Sequence, residues 1–285
     1  MKSILFFLVL ILVPFLGSPQ TVCTPESRTR LDQALELLPS FDPRTQTINE
    51  LVVDIGKSFR GTPYVEKTLE IPGPEQLVID LQGVDCTTYL ETVVTLARMT
   101  QRGENDFETF EQELEYIRYR EGLNQGYPSR LHYFSDWMAV NAKKGILKDI
   151  TEEIDGIPYE NKPTFMSENP QFYSQLSNRE YVEQLQNIEA SIRIRDYYFI
   201  PKDQISVVEN QIQSGDLIAI TTSISNLDMV HVGFAVEQNG RIHLMHASSA
   251  NKEVEISEKP LHDYLAGNRS QSGIMVARLI PGIAN

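Results

Sequence analysis

Apolar residues recur at helical spacing over residues 28–38 and again over 48–59, with the turn-forming Phe41-Asp42-Pro43 between the two runs. That spacing predicts two helices at the start of the chain. Gly61-Thr62-Pro63-Tyr64 then breaks the period. The run TTYLETVVTLARM over 87–99 is apolar around much of its circumference, which predicts a buried helix starting directly at Asp85-Cys86; residues 107–120 predict an amphipathic one. From 122 to 198 no single period holds. Aromatic residues (Tyr127, Tyr133, Phe134, Trp137, Phe165, Tyr173) alternate with Pro128, Pro158, Pro163 and Pro170, and a helix over 178–192 closes the stretch.

After Pro201 the period becomes that of strands, over 216–221, 231–237, 241–247 and 274–279, with Gln238-Asn239-Gly240 as a turn signal. The expectation is a meandering antiparallel sheet. Helices first and sheet second make an α+β layout. It is read as one catalytic domain over 24–285, with a core at about 50–100 and 205–280 and an insertion at about 101–200 that elaborates the same fold.

Composition changes this picture at two points. Asp and Glu number 39 against 25 Lys and Arg, and the net charge of −14 repels any polyanion, so nucleic acid is excluded as a partner. Residues 1–18 carry one Lys, then an apolar run too short to span a bilayer comfortably, then Pro14 and the small Gly17 and Ser18. This is the order of a signal peptide, so an exported, periplasmic or secreted protein is expected, with an uncleaved N-terminal anchor as the alternative. A lipoprotein signal at Cys23 is disfavoured by the branched Val22 before it.

The chain has two cysteines, Cys23 and Cys86, and export permits a disulfide between them. Cys86 has its own explanation. Asp85 is a good N-cap residue, and Cys86 then falls in the first helical turn, where unpaired N–H groups and the helix dipole favour a thiolate. The Asp85 carboxylate opposes this unless its side chain caps the helix or holds substrate. A small buried cysteine is the plainer reading, and only a base nearby displaces it.

His231 begins an apolar strand, and His243 and His246 lie on the next. Because side chains alternate along a strand, His243 and His246 point to opposite faces, so only one of them can share a face with His231. A three-histidine zinc site is therefore not expected, nor is any other cofactor. A cysteine hydrolase needs an imidazole near sulfur and a third group that fixes its tautomer; spacing alone leaves His246 and His243 both open for that third place.

Taken together, Gly61-Thr62-Pro63-Tyr64, Val84-Asp85-Cys86-Thr87, Ser214-Gly215-Asp216-Leu217, His231-Val232-Gly233 and His246-Ala247-Ser248-Ser249 resemble the ordered motifs of the NlpC-like, papain-related cell-wall hydrolases. The resemblance implies a papain-like fold, Cys86 as nucleophile, His231 as base, His246 as its orienter and Tyr64 near the cleft. Ser248, in the last motif, is expected at the substrate. Thr-Thr after the cysteine, and the insertion with Tyr127-Pro128-Ser129-Arg130-Leu131-His132-Tyr133 and Asp136-Trp137, resemble one branch once catalogued as a domain of unknown function. That branch is similar to N-acetylmuramoyl-L-alanine amidases, which cut between the lactyl group of muramic acid and L-alanine.

On this reading Trp137 and Tyr133 offer flat faces for a sugar, Arg130 pairs with a peptide carboxylate and His132 donates to either; ordinary packing is the competing account of each. The expected partner is peptidoglycan or its soluble muropeptide fragments, and the expected state a monomer. Two rivals stand beside the amidase. One is a γ-D-glutamyl-diamino acid endopeptidase, in which Asp85 would hold a free amine. The other is a wall-binding protein without catalysis.

Overall fold

The structure is a computed structural model that describes residues 21–282; the expected signal segment, 1–18, lies outside the described residues. Strand β1 (Thr21–Cys23) leads into α1 (Pro25–Leu37), and α2 (Ile48–Ser58) follows, its N-terminus closed by reciprocal hydrogen bonds between Thr47 and Glu50. β2 (Leu77–Ile79) pairs in parallel with β1 and precedes α3 (Cys86–Arg102) and α4 (Phe107–Arg118). α3 ends at Gly103, which takes a φ of 72° that a side chain would disfavour.

The aromatic stretch forms α5 (Phe134–Lys143), β3 (Leu147–Asp149), β4 (Ile157–Pro158), α6 (Phe165–Glu168), α7 (Arg179–Arg193) and the beginning of β5 (Tyr198–Pro201). The remainder is α8 (Ile205–Val208), β6 (Leu217–Thr222), β7 (Met229–Gln238), β8 (Arg241–Ser248), β9 (Glu253–Pro260), α9 (Leu261–Ala266) and β10 (Gln271–Leu279).

The architecture is α+β, with helices packed on an antiparallel sheet in the order β4-β5-β10-β6-β7-β8-β9, and β3 also pairing with β10. Of the expected meander only β6, β7 and β8 run side by side in chain order, and β9 extends them. β10 returns to the far side of β6, and the insertion adds β3, β4 and β5 beyond it, so the insertion completes the sheet. The pattern missed β9, as it missed the short β1 to β5. The β9 sequence EVEISEKP buries Val254 while its charged residues lie along an edge strand, where they discourage pairing with another chain.

The sheet is covered on both faces. Leu217, Ala219, Phe234, Met245 and Met275 join one apolar cluster with α2 and α3, whereas Ile218, Ile220, Leu244 and Ile274 join another with α8 and α9. α3 runs through the first cluster, with Tyr89, Leu90, Val93, Val94, Leu96, Ala97 and Met99 all at 0% exposure. The Tyr89 hydroxyl donates to the Gly56 carbonyl at 3.0 Å and its ring meets Phe234 edge-on at 6.0 Å. These contacts press the N-terminus of α3, and with it Cys86, against β7.

The Ser214-Gly215-Asp216-Leu217 motif ties the layers together. Asp216 is fully buried, accepts two hydrogen bonds of 2.8 Å from Arg278 on β10 and one of 3.2 Å from Asn49 on α2. Gly215 has a φ of +89°, and a Cβ there would lie 2.4 Å from the Asn49 carbonyl oxygen. The motif is structural: it holds α2 against the edge of β6.

Candidate active site

Asp85 folds back on its own helix. Its Oδ1 accepts from the Thr88 N–H at 2.8 Å and the Thr88 hydroxyl at 2.9 Å, while its N–H donates to Thr88 Oγ1 at 2.9 Å. The carboxylate expected at the substrate therefore caps the helix with one oxygen, while Asp85 also lines a second cavity beside that of Cys86. Cys86 follows in the first turn and lines a cavity of about 210 Å³ together with His231, Thr87, Tyr133, Met166 and Asp228. The Val232 N–H, next to His231, hydrogen-bonds the sulfur.

Burial pushes the Cys86 thiol up to about 12, with the Asp85 charge adding to the effect. This reverses the expectation of a thiolate at the helix start, because desolvation outweighs the dipole. Burial likewise lowers His231 to about 4 and His246, which also feels His231, to about 3. At neutral pH the site rests as a thiol and two neutral imidazoles.

Strand geometry brings two of the three histidines together. His231 Nε2 and His246 Nδ1 are 2.6 Å apart, with the rings at 89°, and His246 is fully buried against the edge of Tyr264. His231 Nδ1 is left free of protein partners among the described residues. His243 goes elsewhere: its Nδ1 donates to the Ser257 carbonyl at 2.8 Å. Gly233 explains the glycine of the His-Val-Gly motif, since a Cβ there would lie 2.9 Å from His246 Cβ and 2.6 Å from the Met245 carbonyl oxygen.

The Gly61–Tyr64 segment is strapped between two elements. Gly61 N–H donates to Val254 O at 2.9 Å, Tyr64 N–H to Lys252 O at 2.8 Å, and Val84 N–H to Pro63 O at 2.9 Å. Tyr64 thereby comes near Cys86 and Asp85, and burial together with their charges raises its hydroxyl to about 12. It stays protonated, a donor at any physiological pH.

Several residues expected at the substrate sit differently. Trp137 is fully buried, stacked on Phe134 at 5.0 Å, with its indole N–H on Glu91 at 3.1 Å, so it is core and offers no face to a sugar. Arg130 lies on a second cavity of about 290 Å³, but its guanidinium is already paired with Glu70 at 2.5 Å and Glu75 at 3.3 Å. Those carboxylates neutralise it before any peptide arrives. Tyr133 lines the cavity of Cys86 while its hydroxyl is committed to Glu189 at 2.5 Å.

His132 lines both cavities, yet its Nε2 must donate to the Tyr127 carbonyl at 2.7 Å, and burial holds its pKa well below the ordinary value. It is neutral and presents Nδ1 as an acceptor, the reverse of the expected donor. Ser248 is the buried last residue of β8, where its hydroxyl accepts the Asn251 N–H at 3.1 Å, so it braces the following turn and lines neither cavity.

The two cavities share Thr87, His132, Met166 and Tyr173, so they form one groove leading away from Cys86. Asp228, at the foot of β7, was not singled out in the sequence. It accepts from the Ser135 N–H at 2.8 Å and Asn161 at 2.6 Å, and burial raises its pKa. A lone Asp before an apolar strand carries no signal of its own. A larger cavity of about 700 Å³, lined by Arg120, Lys143, Lys144 and Arg195, contains neither Cys86 nor a histidine. Among the described residues no three His, Cys, Asp or Glu side chains group closely enough to hold a metal ion.

Residues 54–274 match the model of the AmiA-like, N-acetylmuramoyl-L-alanine amidase-like family. The chain belongs to this family. An N-acetylmuramoyl-L-alanine amidase from Bacteroides uniformis is 36% identical, with 82% of this chain and 99% of that one covered at a TM-score of 0.78. A candidate xylanase from Bacteroides fragilis is also 36% identical over 78% of this chain and 98% of its own, at 0.74. A protein from Legionella pneumophila is 26% identical, covers 89% and 95%, and reaches 0.68. Among curated proteins none matches. The AmiA-like match takes in Tyr64, Cys86, His231 and His246, and with them the whole insertion.

Proposed function

We propose that this chain hydrolyses the amide between the lactyl group of N-acetylmuramic acid and L-alanine, by a cysteine acyl-enzyme in a papain-like site. The observation that carries the reading is the shared cavity of Cys86 and His231, with His231 Nε2 held by His246 at 2.6 Å. That contact leaves His231 Nδ1 for the thiol. In the first step Cys86 passes its proton to His231 Nδ1 as sulfur attacks the carbonyl carbon. The oxyanion meets the Cys86 N–H at the start of α3, with the protonated Tyr64 hydroxyl as a second donor. His231 then protonates the amine of L-alanine as the C–N bond breaks. A water attacks the thioester, gives its proton to His231, and the thiol re-forms.

His246 holds the ring of His231 in one tautomer and stabilises the imidazolium that forms. The groove beyond Thr87 accommodates the rest of a muropeptide. The rival endopeptidase would need Asp85 for a free amine; Asp85 lines the second cavity, but its Oδ1 is engaged by Thr88 and only Oδ2 is left for such a contact, so the products of the reaction decide between the two. A glycosidase would need two carboxylates facing one bond; the cavity of Cys86 has Asp228, held by Ser135 and Asn161, and the adjoining one has Glu70, Asp85 and Glu91, held by Arg130, Thr88 and Arg118. A wall-binding protein would not need a cysteine and an imidazole in one cavity. The apolar cluster that joins α1 through β10 supports a single catalytic domain over 24–285. The signal-like residues 1–18 support action outside the cytoplasm, on peptidoglycan or its soluble fragments.

The test is mass spectrometry of a disaccharide-tetrapeptide after incubation. The amidase gives free disaccharide and a tetrapeptide beginning with L-alanine, and Cys86→Ala gives neither. A disaccharide-dipeptide product would make the chain an endopeptidase, and full activity in Cys86→Ala would remove the cysteine mechanism.

A further inference from the structure

His246 stands opposite Glu255 in the pairing of β8 with β9. Its Nδ1 meets His231, but its Nε2 is buried without a hydrogen-bond partner and lies 3.6 Å from Glu255 Oε1. That gap is just beyond a hydrogen bond and too narrow for a water between the two atoms. The ring nitrogen carries either a proton or a lone pair. A lone pair would face a carboxylate across a poorly screened interior, whereas an N–H would point at an acceptor and need only a small closure.

The carboxylate is itself aimed. Asn251 Nδ2 donates to both Glu255 oxygens, at 2.9 and 2.8 Å, and Asn251 is fixed by its N–H on Ser248 Oγ at 3.1 Å. The buried serine of the His-Ala-Ser motif thus holds the turn that holds Glu255. Glu255 does not line the cavity of Cys86, so any effect it has on the reaction passes through His246.

We propose that Glu255 is a positioning residue that fixes His246 as its Nε2–H tautomer. His246 Nδ1 is then an acceptor, His231 must donate to it from Nε2, and His231 Nδ1 is left bare to receive the Cys86 proton. Glu255 sets the direction of the whole chain of proton donors. The inference rests on the cysteine-amidase reading above.

The test uses Glu255→Gln in the full chain, because the amide keeps the size of the side chain but can turn either an acceptor or a donor toward His246. With the disaccharide-tetrapeptide as substrate, kcat falls roughly 10- to 100-fold, as for outer partners of ligating histidines, while KM stays within about twofold. In a His246→Ala background the same substitution changes nothing further. Imidazole 15N NMR of the unaltered protein shows Nε2–H on both His231 and His246, and the two tautomers mix in Glu255→Gln.

Unchanged kcat in Glu255→Gln, an equal loss in both backgrounds, or a His246 carrying its proton on Nδ1 each overturns the proposal. The NMR result stands even where His246→Ala has no measurable rate or Glu255→Gln fails to fold. Activity that survives Cys86→Ala instead brings down the underlying reading, which the tautomer measurement does not depend on.

Discussion

Gly233→Ala tests how tightly packing controls the His231–His246 contact. The added methyl would lie 2.6 Å from the Met245 carbonyl oxygen, 2.9 Å from His246 Cβ and 3.0 Å from Leu244 Cδ1. Two of these three neighbours are backbone or Cβ, which no rotamer change can move. Because Phe234 pairs with Met245 next door, the strain must be met by β8 retreating, by roughly 0.5–1 Å for ordinary contact. A retreat of that size stretches the 2.6 Å contact between the two histidines to the limit of a hydrogen bond.

Overpacking of this kind costs about 1–3 kcal/mol, or roughly 2–5 °C in Tm for a chain of this length. A misplacement of about 1 Å at a catalytic pair costs on the order of 100-fold in rate. The assay is kcat and KM on a disaccharide-tetrapeptide together with thermal unfolding. A lowered Tm with unchanged kcat would show that the contact is not needed for turnover, and an unchanged Tm would refute the packing argument itself.

His246→Ala should lower kcat by roughly 10²- to 10⁴-fold with a small change in KM, whereas His243→Ala should leave kcat intact and cost about 1–3 kcal/mol by stranding the Ser257 carbonyl. The reverse pattern, read from kinetics and denaturant unfolding, would reassign the orienting residue. With His231 lowered to about 4 and the Cys86 thiol raised to about 12, kcat/KM should hold flat from about pH 5 to 10 and fall in acid through about 4; an acid limb near 6.5 would contradict it. Stability has the same sign. The unfolded histidines take up protons from 6.5 downward while the folded His231 and His246 refuse them until about 4 and 3, so Tm should drop as pH falls through that window. Trp137→Phe should leave KM unchanged and cost about 1–3 kcal/mol through the lost Glu91 contact, and a raised KM would return Trp137 to the substrate.

The long helices were legible because each carries its own signal. Residues 87–99 are apolar enough to demand burial, and Asp85 with Thr88 writes the start of α3 into four consecutive residues. The strands β6, β7, β8 and most of β10 showed for the same reason, being runs whose alternation or apolarity matches a sheet. β9 did not, since an edge strand buries little and its charges read as loop. The return of β10 beside β6, and the edge strands supplied by the insertion, depend on pairings between distant segments that leave no local mark.

At the site, the sequence by itself determined which residue types were available: a cysteine at a helix start, a histidine at a strand start, and two further histidines of opposite parity, of which alternation allowed only one beside the first without saying which. Only the tertiary structure decided their states and neighbours. Burial, a property of everything packed around a group, keeps the Cys86 thiol protonated against its helix dipole and His231 and His246 neutral. Pairing across β8 and β9 puts Glu255 beside His246, and the packing of the insertion hides Trp137 and engages Arg130 with Glu70 and Glu75. Local sequence can specify a side chain and the element that carries it, but desolvation and charge pairing are summed over segments far apart in the chain, and those sums exist only once it has folded.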